Sequence, residues 1–496
     1  MDGWTRMGAS SGLSEAGRRG RNRLSPDSFP AGERSTLLDQ VPDLVPTLAR
    51  AVSSIGGRLV LVGGWVRDGL NGDHSKDLDV EIFGLSEDEI TKLLSPFGFT
   101  KPVGREFSVW RQMRQGIDVA LPRGGGERFR PSAGDSLDEA FREASRHRDL
   151  TINAVGWDPM ADRVIDPWNG QHDLRARRLK AVSAETFGSD PLRVLRVARL
   201  KARFEAQVDS NLEAICRGID LQELAPERVA AELWRILCES PRPSIAFEFL
   251  ASIDQVGVFA PIEALQGVAQ DPEWHPEGDV FVHTCLVVDR AAEISRAEAL
   301  SGDEQILLMV SALCHDLGKP TTTKVEADGR IRSLQHEAES ARQTQSWLNT
   351  LCLGEGRIRA VVGLVAQHLA PAQFVSQGAG ARAYRRLARK LEPAGVTVVE
   401  LERLARADHL GRTTADAEAG RFEAGERFLE AARSADIHEG VRPDVVSASM
   451  LMARGIVPGP ALGHMLARCR EIEDATGSQD ASSIAETVLR EFETDQ

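Results

Sequence analysis

Two short stretches, twelve residues apart, limit what this chain can fold into more than any other feature. Arg58-Leu59-Val60-Leu61-Val62 is an apolar run of strand length closed by Gly63-Gly64, and Asp77-Leu78-Asp79-Val80-Glu81-Ile82 alternates polar with apolar. Alternation at period two marks a strand with one buried face, so Asp77 and Asp79 are expected to project together while Leu78 and Val80 face a core. Trp65 to Leu70 reads as a short helix and Asn71-Gly72-Asp73 as a turn. Gly116 to Leu121 is expected to be a third strand and Thr151 to Trp157 a fourth, after a helix over Thr36 to Val52. Beyond about Asp166 the alternation ends. Apolar residues then recur at three- and four-residue spacing, as in Asp190–Phe204, Pro226–Cys238 and Ser244–Ile253. The fold class expected is α+β, a small mixed sheet followed by a helical body.

A chain of 496 residues exceeds the ~250–300 at which single cores stop growing. The segments expected are a disordered tail (1–35), a head (36–165), a helical neck (166–270), a second helical body (271–414) and a helical extension (415–496). The tail is rich in Gly, Ser and Arg, but Asp2, Glu15, Asp27 and Glu33 speak against a transit peptide. The six cysteines form no Cys-x-x-Cys pair, which fits a reducing, cytoplasmic setting. The longest apolar run, Ile306 to Val310, is far short of the ~20 residues of a membrane span, so no membrane partner is expected. With 60 Lys and Arg against 74 Asp and Glu, the chain should repel nucleic acid except at a local basic face.

Carboxylates at i and i+2 of a strand, ~6–7 Å apart, repel by roughly 2–3 kcal/mol at an effective dielectric near 20, a cost a divalent cation relieves. Carboxylates suit Mg²⁺, which completes its shell with water and phosphate oxygens, and a Gly-Gly turn at a helix start leaves backbone N–H groups open to phosphate. The combination describes a nucleotidyl-transfer site. Asp118, on the third strand, is either a third carboxylate of that site or a surface residue.

Val62-Gly63-Gly64-Trp65-Val66-Arg67-Asp68 with Lys76-Asp77-Leu78-Asp79 resembles the first motif of the class II tRNA nucleotidyltransferase and bacterial poly(A) polymerase family. Arg146-His147-Arg148-Asp149-Leu150-Thr151-Ile152-Asn153-Ala154 resembles its second motif and Phe187-Gly188-Ser189-Asp190-Pro191-Leu192-Arg193 its third, with Gly104-Arg105-Glu106-Phe107 between. The resemblance implies a polymerase-beta-like head in which Asp77 and Asp79 hold catalytic Mg²⁺. Gly63, Gly64, Arg67, Arg148, Asn153 and Arg196 would bind nucleotide, and Asp149 would contact the ribose hydroxyl. Asp190 and Arg193 would read the edge of CTP and ATP; a bare helix N-cap is the other role open to Asp190. His147, Ser189 and Trp65 depart from the family pattern. Arg175 to Arg203 holds nine basic residues and two acids. Arg193, Arg196, Arg199 and Arg203 fall on one arc of a helix, with Arg199 and Arg203 expected to meet RNA.

His283, His315-Asp316, His336, His368 and Asp408 follow in the order of the HD phosphohydrolase superfamily, whose set binds one or two metals. That resemblance implies an HD body with a divalent transition metal and phosphoester hydrolysis. Joined to this head it is similar to the bacterial multifunctional CCA-adding type, which implies tRNA, CTP and ATP as partners. The alternatives are an A-adding or poly(A)-adding enzyme, or an HD phosphohydrolase with a nucleotide-sensing head. The Gly-rich loop Arg123 to Asp135 is expected to take part in a C-to-A switch. The role of the extension after Ala415 and the oligomeric state are not legible in the sequence.

Overall fold

The computed structural model describes residues 37, 41–73, 75, 77–101, 109–124, 129, 134–438, 440–441 and 443–494. The expected tail, Lys76, Gly104–Phe107 and most of the Arg123–Asp135 loop lie outside them. The chain divides into two compact units. One comprises the described residues through Ala140 with 155–166 and 174–176; the other comprises 141–154, 167–173 and 177–496. Phe141–Ala154, with Arg148, Asp149 and Asn153, counts with the second unit.

The first unit is built on a six-stranded mixed sheet. Its strands are β1 (Arg58–Val62), β2 (Leu78–Phe83), β3 (Val109–Gln112), β4 (Ile117–Ala120), β5 (Gly156–Asp158) and β6 (Arg163–Ile165), in the order β3-β4-β2-β1-β5-β6. Only β2 and β4 run parallel. Helix α1 (Leu44–Ser54) buries Val45, Leu48, Ala49 and Val52, the i, i+3, i+4, i+7 stripe that one packed face requires. It begins later than the sequence suggests. Helix α2 (Gly64–Leu70) follows the glycine pair. Trp65, which sequence reasoning left without a purpose, is 4% exposed and packs on Trp157 with ring centroids 6.4 Å apart. Helix α3 (Glu87–Leu94) starts from a Ser86/Glu89 capping box.

The expected strand Thr151–Trp157 is broken. Thr151–Asn153 is a 3₁₀ turn, and only Gly156–Asp158 pairs in the sheet. The Asn153 amide donates back to Asp149 at 2.9 Å, and that local bond favours the turn over an extended backbone.

The second unit is mainly helical, with two small β pairs that periodicity did not foresee, Arg178–Leu179 with Gln207–Val208 and Thr323–Val325 with Ile331–Ser333. Its inner helices, among them Val280–Ala297 and Asp303–Cys314, bury most of their residues. The helices of the C-terminal extension close a separate small core around Leu451, Met465, Ile484 and Val488. By length and composition Glu355–Ser376 is apolar enough to cross a membrane. In the fold it is two helices, Glu355–Val365 and Ala370–Ser376, with His368 fully buried between them.

Candidate functional site

In the first unit the sheet register builds a charged row. Val62 of β1 pairs with Asp79, Asp79 with Asp118 of β4, and Asp118 with Arg111 of β3. Paired residues on adjacent strands share a face, so Asp79 and Asp118 stand side by side. Asp77 lies one residue before β2, not within it; Asp77 and Asp79 are both exposed. Arg111 forks onto Asp118, donating from Nε at 2.8 Å and Nη2 at 2.6 Å. The hydrogen bond to Asp118 and that carboxylate's charge raise the guanidinium pKa, with Asp77 and Asp79 adding to it. Sequence reasoning missed Arg111, and its only signal was position on a strand flanking Asp118.

Because Val62 pairs with Asp79, the turn after Val62 lies beside that carboxylate. Gly63 has φ +74° and ψ −140°, a left-handed backbone that favours glycine, and it caps α2. Arg67 is buried against Asp68 at 2.7 Å. Its Nη2 lies 3.5 Å from where a Cβ on Gly64 would stand, an ordinary van der Waals contact.

The second and third motifs lie in the other unit. Asp149 is buried; its Oδ1 accepts from the Leu150 amide at 2.8 Å and from Asn153 at 2.9 Å. Arg196 Nε stands 3.0 Å from Asp149 Oδ2, an ion pair not aligned as a hydrogen bond. Burial opposes ionisation of Asp149, but Arg196 and these two donors hold its carboxyl below the usual range. Arg148 donates weakly to the Asn153 carbonyl at 3.4 Å. Arg193 donates to the carbonyls of Thr186 (2.8 Å), Phe187 (3.3 Å) and His147 (2.6 Å), tying the second motif to the third. Asp190 takes both oxygens to Arg228 Nη2, at 3.0 and 2.9 Å, a partner the sequence did not suggest.

The helix expected from Asp190 runs over Arg193–Phe204, with Asp190 accepting from the Leu192 amide in the turn before it. Its arginine face is only partly a surface. Arg199 is 2% exposed and pairs with Glu232 at 2.7 Å and Glu239 at 3.4 Å. The expectation that Arg199 meets RNA is therefore corrected, since its guanidinium is enclosed by its own unit. Arg203 is half-buried, its guanidinium 5.1 Å from the Phe204 ring centroid.

All six expected HD residues converge in the second unit, each under a tenth exposed. His283, His315 and Asp408 form one group of candidate ligand atoms within 4.8 Å of one another; Asp316, His336 and His368 form another. His283 Nε2 lies 3.1 Å from Asp408, His315 Nε2 3.1 Å from Asp316, and His336 Nε2 3.3 Å from both Asp316 and His368 Nε2. Each imidazole is anchored through Nδ1. His315, His336 and His368 use the carbonyls of Ala312 (2.8 Å), Ser333 (2.7 Å) and Val365 (2.7 Å). His283 uses the Glu277 carboxylate at 2.7 Å. Anchoring at Nδ1 turns Nε2 inward in the tautomer a metal needs.

His315 Nε2 and Asp316 Oδ1 are buried with no aligned hydrogen bond, a mismatch that a cation would resolve. Burial works against charge on Asp316 and Asp408, yet His315 and Lys319 beside the first, and Arg412 and His283 beside the second, hold both carboxyls well below the usual range. Burial, with His336 and His315 adding to it, pushes His368 down to about 3. Ionised carboxylates with a neutral imidazole are the state that binds divalent cations. Glu277 and Lys319, whose Nζ lies 2.7 Å from Asp316 and from Gln270, are parts of the cluster that spacing did not single out.

Comparison with known proteins covers both regions. The family model described as "Poly A polymerase head domain" matches residues 59–180, and "HD domain" matches 280–412. The multifunctional CCA protein of Paracidovorax citrulli is 37% identical over 297 residues, 57% of this chain and 67% of that one. The Xanthomonas axonopodis pv. citri protein of the same name is 33% identical over 324 residues, 63% of this chain and 75% of that one. Among solved structures, a CCA-adding enzyme with CTP aligns at TM-score 0.59 and 18% identity over 92% of this chain and 98% of its own. The Thermotoga maritima CCA-adding enzyme complexed with tRNA aligns at 0.57 and 17%, with the same coverage of both chains. At such identity the structures speak for the fold alone, an α+β head with a helical remainder. The curated relatives go further, and by that kinship the chain belongs to the multifunctional CCA proteins.

Proposed function

We propose that the protein is a nucleotidyltransferase that adds C, C and A to the 3′ end of tRNA from CTP and ATP, without a nucleic-acid template. The register of β1 and β2 carries this reading, because it brings an exposed Asp79 beside the Gly63-Gly64 turn. In the reaction the tRNA 3′-hydroxyl attacks the α-phosphate and pyrophosphate leaves. Asp77 and Asp79 would hold Mg²⁺, which neutralises the charge developing on the phosphates. The exposed carboxylates, all-oxygen and adjoining the phosphate turn, fit a hard ion that keeps water and substrate oxygens in its shell.

The chain's own residues contribute positioning. In the first unit Gly63 and Gly64 bare the backbone for the triphosphate; in the second, Arg148 would offer a cation to phosphate. Asp149, oriented by Asn153 and Arg196, accepts from the ribose hydroxyl. Asp190 and Arg193 read the base: a carboxylate accepts from the exocyclic amine that C and A share, and an arginine donates to a neighbouring ring acceptor. The bonds Arg193 already makes to Thr186 and His147 support a preset orientation.

The HD cluster supports a second activity, metal-dependent phosphoester hydrolysis. Four imidazoles and two carboxylates suit a divalent transition metal better than Mg²⁺.

The test is incubation with tRNA ending at the discriminator base and each labelled triphosphate in turn. C followed by one A is expected, and Asp77→Ala should abolish it while hydrolysis at the HD cluster persists. Incorporation of A alone would replace this reading with an A-adding enzyme. Surviving incorporation in the variant would remove Asp77 from the site.

A further inference from the structure

An acidic protein that handles RNA needs a local basic face, and the Arg193–Phe204 helix supplies less of one than its composition suggests. Arg193 is buried and bonded to carbonyls, Arg196 pairs with Asp149, and Arg199 is enclosed with Glu232. Another helix, within the HD body, has the opposite character. Ala381–Leu391 carries Arg382, Arg385, Arg386, Arg389 and Lys390 and no acid, in a chain of net charge −14.

The fold sorts these five cations into two sets. Tyr384, Leu387, Ala388 and Leu391 face the core. Arg385 and Arg389 flank that stripe and dock on the acidic end of the Pro460–Thr476 helix. Arg385 donates to the Asp474 carbonyl at 2.9 Å, and Arg389 pairs with Asp474 at 3.2 Å and Asp444 at 3.0 Å. Arg382, Arg386 and Lys390 are exposed, and no carboxylate among the described residues pairs with them.

Their i, i+4, i+8 spacing draws a line of about 12 Å along the helix, within an arc of roughly 80°. Like charges at i, i+4 destabilise a helix by about 0.2–0.5 kcal/mol per pair. The packing and the ion pairs that hold this helix belong to the other set, and no acid among the described residues neutralises the outward line itself. A row of cations with no counter-charge complements a polyanion whose charges also come in a row.

We infer that the outward line Arg382–Arg386–Lys390 of the HD body is a contact surface for the phosphate backbone of RNA. The inference deepens the reading of tRNA as substrate and rests on it. Two of the three cations are arginines, whose planar fork meets phosphate oxygens two at a time. Contacts of this kind set affinity and its salt dependence and carry no sequence information.

The test uses the full chain with Arg382→Gln, Arg386→Gln and Lys390→Gln combined, and Lys390→Gln alone. Fluorescence anisotropy would follow binding of tRNA lacking CCA, and of a generic RNA hairpin, from 50 to 300 mM salt. Each lost phosphate contact lowers the slope of log K against log salt by about 0.7–0.9, so the triple variant should lose about 2–3 and the single variant about 1. KM for tRNA should rise roughly tenfold, with kcat and KM for CTP unchanged, because fewer phosphate contacts weaken binding without touching the reacting atoms. Wild-type affinity and slope in the triple variant would overturn the proposal, whatever acidic protein the helix otherwise binds. The hairpin separates the two readings: a wild-type protein that leaves tRNA unextended sinks the tRNA assignment, while the hairpin slopes still decide the surface.

Discussion

Replacing Arg199 by leucine separates a structural arginine from a nucleic-acid-binding one. Its Nε lies 2.7 Å from Glu232, and both side chains are under a tenth exposed. Glu239 is a weaker partner, 3.4 Å away, a third exposed and held at 2.8 Å by Arg235. Leucine would leave the Glu232 carboxylate buried without its cation, and breaking a buried pair from one side costs about 3–5 kcal/mol. The second unit spans about 340 residues, a size at which 1 kcal/mol moves Tm by only ~1.4 °C, so its melting transition should fall by roughly 4–7 °C.

The double variant Arg199→Leu with Glu232→Leu should recover most of that loss, because desolvating the pair offsets much of its attraction. Burial already pulls the Arg199 pKa down, which is the same penalty in another form. Differential scanning calorimetry reads the melting, and anisotropy with tRNA at 20 °C reads binding. Unchanged melting with weakened, less salt-dependent tRNA binding would refute the reasoning and return Arg199 to the RNA surface.

Three other outcomes follow from the geometry. Glu277→Ala removes the anchor of His283 Nδ1, so affinity for one metal equivalent should drop ~10–100-fold by chelator competition while nucleotide addition is unaffected; Glu277→Gln, which keeps an acceptor, should lose less. Asp149→Asn should flatten the acid limb of stability. The folded carboxyl lies below its unfolded value of about 3.9, so its contribution is complete above that pH and disappears as pH falls through the folded value; wild-type and variant Tm curves should converge there. Gly318→Ala would set a methyl 2.5 Å from the His336 carbonyl oxygen and the Ser340 nitrogen, both backbone, costing on the order of 1–3 kcal/mol and lowering metal content.

Periodicity located β1, β2, β4 and the long helices because each is a local pattern of burial, and the first carboxylate pair followed from alternation. The HD ligands came from the order of residue types in a resemblance, since no local pattern brings His283 to Asp408, 125 residues on. What stayed illegible is pairing across elements. Arg228 on Asp190, Glu232 on Arg199 and Arg111 on Asp118 join different helices or strands, and nothing in either partner's neighbourhood announces the other. The wheel that put Arg193, Arg196, Arg199 and Arg203 on one arc was correct as geometry. It could not say what covers the arc, and six apolar side chains of that helix, Val194 through Ala202, are buried as well, leaving little of its circumference to solvent. Thr151–Trp157 failed for a nearer reason: a four-residue hydrogen bond from Asn153 to Asp149 outcompeted an extended backbone.

The two carboxylate-bearing centres ask different things of a metal, and this separates them by experiment. Asp77 and Asp79 are exposed, so a cation held there would exchange freely and gain most of its affinity when a triphosphate supplies further oxygens. The HD ligands are enclosed and their four imidazoles are fixed by Nδ1 anchors, so the geometry is set before a metal arrives and exchange would require the pocket to open. A brief treatment with EDTA followed by desalting should abolish CCA addition until Mg²⁺ is restored, with recovery complete on mixing. Metal in the HD cluster, counted by mass spectrometry, should survive the same treatment. Loss of both within that interval would mean that burial of the histidine pocket does not slow exchange, and the contrast drawn from the two geometries would fail.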